Sequence, residues 1–396
     1  MSSYLECRQR VNFADLITFT RATEETGYNA AKQLVTFPAG TPAVPVYNPA
    51  TGEPLGLQVF EQRTNLQRQS ENFATSAGIW VLSNFTLTAN TATAPDGTLT
   101  ADRLTSTANG QYRVQSLESY AAATTYTYSV FVKDSSTGSA SLGVRYGAGF
   151  FRVSYVLATG SATVNDSSGY ILNHGLEDVG NGWYRIHIVF NVPVLDASTN
   201  IVYFDCTTNG FSGTTGDNAL FWGAQLEAGS FPTPYIKTEA TTATRNASVA
   251  VINDINESEW FNSEQGSFYV KWYENSGVDN YIANVIGISN GNATALTGVF
   301  TLIQRRGNGK YNIRCMRNDG TSVNVDTAAN VSAGLHTATL RYVGNDAYLS
   351  VDGSPEVTVA NVRRGEDRVN IGTSATGAGQ FNGHIAQLIY TPSTGV

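Results

Sequence analysis

Apolar and polar residues alternate in short runs along most of this chain. Tyr126, Tyr128, Val130 and Val132 interleave with Thr127, Ser129, Phe131 and Lys133, the pattern of a half-buried antiparallel strand. Asp134-Ser135-Ser136-Thr137-Gly138 ends that run. Comparable runs follow at Ser141–Tyr146, Phe150–Leu157, Trp183–Phe190, Asn200–Cys206 and Ala219–Leu226, with an earlier one at Leu99–Leu104. Together they predict a sandwich of about eight strands, of jelly-roll type, over residues 73–237. The period of two returns after Gly266. Phe268, Val270 and Trp272 share one face, and Leu335–Val343 and Ala347–Gly353 flank the hairpin signal Gly344-Asn345-Asp346. Phe381–Tyr390 closes a second sandwich over 258–396. Between the two, Ala219–Leu226 runs into Gly229, Pro232 and Pro234, which forbid its continuation. The threonine-rich segment 238–257 reads as a linker passing into an edge strand.

Residues 1–72 lack this alternation. Pro38, Pro42, Pro45, Pro49 and Pro54 fix φ and remove donors every few residues, so the segment should run extended. It is too apolar to lie in water, with Phe13, Phe19, Phe37, Tyr47 and Leu57 among its side chains. An arm of this kind needs a surface, either the chain's own second domain or a neighbouring subunit, and these residues are the expected assembly contacts.

Composition fixes the class. With 38 Gly, 20 Tyr, 18 Phe and only 14% charged residues, short strands and tight turns are favoured over helices, and an all-β fold of two β-sandwich domains behind an extended arm is expected. The net charge of −8 argues against a surface that tracks nucleic-acid phosphates. Arg305, Arg306, Lys310, Arg314 and Arg317 are the one basic cluster, a possible local anion face or a solvated strand face. Cys7, Cys206 and Cys315 show no metal-type spacing. No apolar run has the length of a signal core or a bilayer span, so membrane insertion is not expected.

Two long motifs carry a family resemblance. Tyr47-Asn48-Pro49-Ala50-Thr51-Gly52-Glu53-Pro54-Leu55-Gly56-Leu57, then Glu61-Gln62-Arg63-Thr64-Asn65-Leu66 and Ser70-Glu71-Asn72-Phe73, resemble the linker of many tailed-bacteriophage virion proteins, which precedes a carbohydrate-binding-module-like jelly roll. Phe221-Trp222-Gly223-Ala224-Gln225-Leu226-Glu227 through Tyr235-Ile236 resembles the way such jelly rolls end. Arg63, Phe221, Trp222 and Tyr235 are the expected domain-junction residues. Tyr348 with Val351-Asp352-Gly353, and the closing Phe381–Tyr390, resemble the laminin-G/concanavalin-A-like sandwich. The resemblance implies a virion structural protein, made in the host cytoplasm and carried in the particle. It implies a tail fibre, spike or tail-tip component that adsorbs to host polysaccharide or lipopolysaccharide. Other virion proteins would hold it by the arm, in a homo-oligomer for which a trimer is favoured, although no coiled-coil heptads appear. A capsid decoration, head-fibre or adaptor protein making only protein contacts is the alternative.

No enzyme is expected. Glycosidases need two carboxylates ~5–10 Å apart across a sugar, and Glu257 and Glu259, the one pair with single-face spacing, sit in a polar linker. His174, His187, His336 and His384 lack a nucleophile elbow. No cofactor is expected, and a rim calcium is implied only through the laminin-G resemblance. Sugar sites pair aromatic platforms with polar side chains. The candidates are Tyr112, Tyr146, Phe150 and Tyr155 in the first sandwich, and Tyr281, Tyr311, Tyr348 and Tyr390 in the second.

Overall fold

In the computed structural model, the described residues are 16–75, 78–111, 113–116, 120–146, 149–192, 201–207, 213–275, 282–290, 299–373 and 379–392. The fold is all-β. Alternation along Thr125–Lys133 turns Tyr126, Tyr128, Val130 and Val132 into a core shared with Ile186, Ile188, Phe190, Phe204 and Phe221. Two six-stranded antiparallel sheets enclose it. The first runs in the order Ala162–Asn165, Gly149–Val156, Ser139–Tyr146, Ile201–Asp205, Arg113–Ser116, Trp80–Ser83. The second runs Ile171–Gly180, Trp183–Asn191, Thr125–Lys133, Asn218–Ala228, Ala101–Ser106, Phe85–Ala92. The strands beyond the eight expected are mostly peripheral ones. Ala162–Asn165, for example, is exposed along its whole length and so shows no alternation.

The second sandwich has two seven-stranded sheets around Phe268, Val270, Trp272, Ile313 and Leu340. Both take strands from the proline-rich N-terminal segment. Thr18–Thr20 pairs with Val249–Ile252 at the rim of one sheet, and Pro54–Val59 pairs with Gly383–Thr391 near the rim of the other. Val249–Ile252 is therefore not the edge strand expected, because Thr18–Thr20 covers its outer side and Arg368–Ile371 pairs with the other. The surface that the arm lies on is the chain's own. Leu57 is buried in the second core, and Phe19 packs against that core, so neither is free to meet a neighbouring protein. Phe37 and Tyr47 are half-buried, and Phe13 lies outside the described residues. The hairpin Glu25–Tyr28/Leu34–Phe37 lies on the first sandwich, where Leu34 and Tyr28 meet Phe131, Trp183, Trp222 and Tyr235.

The two sequence motifs meet at this joint. Pro232 and Pro234 have no N–H to offer a ladder, so side chains hold the segment leaving the first sandwich. Glu227 accepts from the Thr233 amide (2.9 Å) and hydroxyl (2.6 Å), Gln225 Oε1 accepts from the Ile236 amide (2.7 Å), and Arg185 Nη1 donates to the Thr233 carbonyl (2.8 Å). Asn65 reaches the same segment from the other motif. Its Nδ2 donates to the carbonyls of Ala224 (3.2 Å) and Ile236 (2.8 Å), while its Oδ1 accepts from the amides of Leu226 and Gln67 (both 3.0 Å). Tyr235 Oη donates to Glu71 Oε1 (3.1 Å) and lies 2.7 Å from Ser70 Oγ. Phe221 faces the first core, whereas Trp222 turns to the opposite side and packs on Tyr235 with ring centres 4.6 Å apart. The Arg63 guanidinium lies 5.1 Å from the centre of the Phe231 ring and pairs with Glu61.

Candidate functional site

The predicted aromatic candidates do not share a surface. Tyr112 and Tyr281 lie outside the described residues. Tyr146 turns toward the first core against Phe151 and Tyr170 and donates to Ser168 Oγ (3.1 Å). Phe150, which was grouped with it, points the other way and is 54% exposed. Tyr155 is buried and donates to the His187 carbonyl (2.6 Å). Tyr311 is a correction of the same kind: it is fully buried between Trp272 and His336 and donates to Glu274 Oε2 (3.2 Å), so no sugar can stack on it. Tyr348 is half-buried, with the Arg341 guanidinium 3.8 Å from its ring centre. Tyr390 packs against Trp260, Phe261 and Phe268.

A different constellation gathers around Phe150. Ala140, Leu142 and Val144 fill the first core, as do Phe151, Val153, Val202 and Phe204. The pleat therefore sends their neighbours to the outer face of the same sheet. Register then builds rows across strands. One is Gln115, Tyr203, Gly143, Arg152 and Asn165; a second is Asp205, Ser141, Ser154 and Thr163; a third is Ile201, Arg145 and Phe150. Gly143 is required here because the Tyr203 ring lies over it, 2.1 Å from where a Cβ would stand.

Arg152 is the hub of the face. It is 1% exposed, and its Nη2 donates to Ser141 Oγ (2.6 Å), Ser154 Oγ (2.9 Å) and Thr207 Oγ1 (2.8 Å). Its Nη1 stands 3.6 Å from Asp205 Oδ2, and Asp205 Oδ1 accepts from the Thr207 amide (2.8 Å) and hydroxyl (2.6 Å). Burial raises the Asp205 carboxyl above its ordinary range, against the pull of Arg152. Nearby Arg113 Nε donates to Gln115 Oε1 (2.7 Å). The face thus has a buried polar floor and a rim where Phe150, Thr163 and Asn165 are exposed and Arg113, Gln115 and Arg145 half-buried. A flat ring beside guanidinium, amide and hydroxyl groups is a set that can stack on one face of a sugar and hydrogen-bond its hydroxyls. Of these residues only Phe150 was singled out from the sequence; the available signal for the others was their polar position in otherwise apolar alternating strands.

Elsewhere, Ser332, His336 and Asp352 have the order of a nucleophile, base and carboxylate. His336 Nδ1 is 2.6 Å from Asp352 Oδ2, but Nε2 is nearer the Ser332 carbonyl (2.9 Å) than Ser332 Oγ (3.4 Å). Nε2 thus faces the Ser332 carbonyl and not its hydroxyl, so it is not placed to take a proton from that hydroxyl. The basic cluster also disperses: Arg305 turns inward to Glu274 at 3.7 Å, Arg306 pairs with Asp326 at 3.0 Å, and Arg314 lies against Phe300. Among the described residues, no three His, Cys, Asp or Glu side chains are grouped to hold a metal ion.

Glu274 does give the second sandwich a pH dependence. Burial pushes its carboxyl up to about 7 from the ordinary 4.5, partly offset by Arg305. The folded state therefore holds this proton where the unfolded state has lost it. Stability from this group is complete below about pH 4.5 and is lost as pH rises to about 7. In urea titrations across pH 4.5–7.5, Glu274→Gln should flatten that decline; an unchanged slope would assign it to another group.

No protein-family model matches the chain, and no curated protein matches it. Among solved structures, it is similar to the CBM40 of the Ruminococcus gnavus IT-sialidase, there bound to α2,3-sialyllactose, at 19% identity over 34% of this chain and 79% of that one, with a TM-score of 0.29. It is similar to domains LG4-5 of the mouse laminin α1 chain at 11% identity, over 72% of this chain and 86% of that one, with a TM-score of 0.25. Laminin α2 LG1-3 gives 11% identity, 70% and 64% coverage and a TM-score of 0.27. At these TM-scores the likeness carries no inference about this chain.

Proposed function

We propose that this protein is a non-enzymatic structural component of a tailed-phage particle that adsorbs to host surface glycans, and that the rim formed by Phe150, Arg145, Gln115 and Asn165, above the buried floor of Arg152 and Tyr203, is its sugar-binding surface. One observation carries the glycan reading. The outer face of a sandwich sheet is built around a buried arginine with three hydroxyl partners, and an exposed aromatic ring stands at its rim. The phage reading is supported by the two virion-type motifs, which complete each other's hydrogen bonds at the joint. Weak single sites would gain avidity through repetition in the particle.

The test is a glycan array probed with the full chain displayed multivalently. Wild-type chain is expected to bind a subset of bacterial surface polysaccharides, and Phe150→Ala to weaken that binding about tenfold with unchanged folding, as loss of one stacking contact of about 1.4 kcal/mol requires. No binding by the wild type would reject the adsorption role and leave a decoration or adaptor protein that contacts only other virion proteins.

A further inference from the structure

The charge on the outer sheet face differs in sign from that of the whole chain. Among the described residues, the charged side chains that the pleat sends to this face are Arg113, Arg145, Arg152 and Asp205. Arg152 and Asp205 are buried and face each other at 3.6 Å, so they cancel. Arg113 and Arg145 remain as a positive surplus, both half-buried at the rim, on a chain of net charge −8. Burial raises the Asp205 carboxyl, and its protonation would only add to that surplus. Asp166, just past Asn165, is occupied by its own turn, where it accepts from the amides of Ser168, Gly169 and Ile171.

Register fixes where the two cations stand. Arg145 lies directly opposite Phe150, and side chains so paired have Cβ atoms ~4.5–5.5 Å apart. A sugar ring stacked on Phe150 therefore carries its substituents into reach of the Arg145 guanidinium. Val114 faces the core and pairs with Phe204, which puts Arg113 beside Asp205 at the other end of the face. Burial pushes the Tyr203 hydroxyl above its ordinary range, while Arg152 and Arg113 pull it back, so the Arg113 charge is felt over the floor. With ~3.4 Å per residue along a strand and ~4.8 Å between strands, four residues and two strands separate Arg113 from Arg145 by ~17 Å. That is a span of several sugar units, not of one.

We infer that the glycan this face takes is acidic, with a carboxylate or phosphate in its repeating unit: Arg145 binds the acid group of the unit stacked on Phe150, and Arg113 that of a unit further along. This rests on the adsorption reading and specifies its ligand. The planar guanidinium matches both anions with paired hydrogen bonds. A neutral sugar offers the same rings and hydroxyls but nothing that calls for a cation. The negative charge of the whole chain does not forbid the contact, because fields from distant groups are screened over ~8 Å at physiological salt.

The experiment titrates the full chain, displayed multivalently, with hexasaccharides of hyaluronan, polygalacturonate and alginate and with their carboxyl-reduced forms. Poly(glycerol phosphate) tests the phosphate source, and dextran and galactan oligomers are the neutral set. At least one acidic polymer should bind, and a carboxylate polymer that does should lose at least tenfold on carboxyl reduction. Binding of poly(glycerol phosphate) alone would assign the acid group to phosphate. Arg145→Gln and Arg113→Gln should each weaken acidic binding about tenfold, and Arg145→Lys, which keeps the charge but not the fork, by less. Lys133→Gln removes the same charge from the opposite sheet and should leave binding unchanged. If neutral oligomers bind as tightly as acidic ones and Phe150→Ala weakens them, or if Lys133→Gln costs as much as Arg145→Gln, the acidic ligand is overturned and adsorption stands. No binding by any of these polymers or by the glycan array overturns both.

Discussion

Asn65→Ala should lower the unfolding free energy by about 4 kcal/mol, although Asn65 lies outside both apolar cores. Its side chain makes four hydrogen bonds in a site with no exposure, each to a backbone group of the joint. Alanine leaves the amides of Leu226 and Gln67 and the carbonyls of Ala224 and Ile236 without that partner. A buried group stripped of its partner costs ~1–3 kcal/mol, and partial relaxation brings the total to about 4. Asn65→Asp should be no milder. It keeps the acceptor but turns a carboxylate oxygen toward two carbonyls that need a donor. Thr64→Ala is the control: the hydroxyl of half-buried Thr64 bonds to that of exposed Thr244 (2.8 Å), and its loss should stay within ~0.5 kcal/mol. Urea unfolding followed by tryptophan fluorescence measures all three. A loss under about 1.5 kcal/mol for Asn65→Ala would mean that these bonds do not hold the joint.

How much of this was legible in the sequence depended on burial. Gln265–Glu274 has one buried face and announces itself by strict alternation, because the core selects every second residue. Thr125–Lys133, expected to be half-buried, is buried on both faces, and its alternation survives because Thr127 and Ser129 on the second face meet polar partners. Phe85–Ala92 and Ala162–Asn165 are largely exposed, so nothing selects their pattern. The arm's strands were obscured differently. Pro54 is compatible with Pro54–Val59 because it stands at the strand's first residue, where proline is tolerated. That the strand joins Gly383–Thr391, more than three hundred residues away in sequence, is a tertiary fact with no local signature.

The sheet-face site was only partly legible for a related reason. Alternation places Arg152, Tyr203 and Asp205 on outward positions, but which of them meet depends on the register of three strands. Gly143 opposes both Arg152 and Tyr203, and it lets the tyrosine ring cross the sheet toward the arginine. Aromatic identity alone is a poor guide to a binding platform here. Tyr155 and Tyr311 are both core residues whose hydroxyls find a carbonyl and a carboxylate, so burial satisfied them as completely as solvent would.

Gly56→Ala is expected to cost about 3–5 kcal/mol and to loosen the N-terminal segment from the second sandwich. Gly56 has φ +94°, and a Cβ there would stand 2.2 Å from the Ile385 carbonyl oxygen and 2.7 Å from the Ala386 Cα. Both are backbone atoms of the strand that pairs with Pro54–Val59, so no side-chain rotation relieves the clash. Either the pairing of Leu57 with Ile385 opens or Gly383–Thr391 shifts against Gln265–Glu274, and each displaces Leu57 and Val59 from the core. Gly52→Ala separates the two contributions. Gly52 has a similar positive φ, +79°, with nothing within 4 Å of its Cβ position, so it should show only the conformational cost of about 1 kcal/mol. Limited proteolysis gives a local readout. The Gly56→Ala chain should be cut within Asn48–Glu53 well before the wild type or Gly52→Ala chain. Equal losses in the two variants would show that backbone strain alone, and not the contact with Ile385, fixes glycine at position 56.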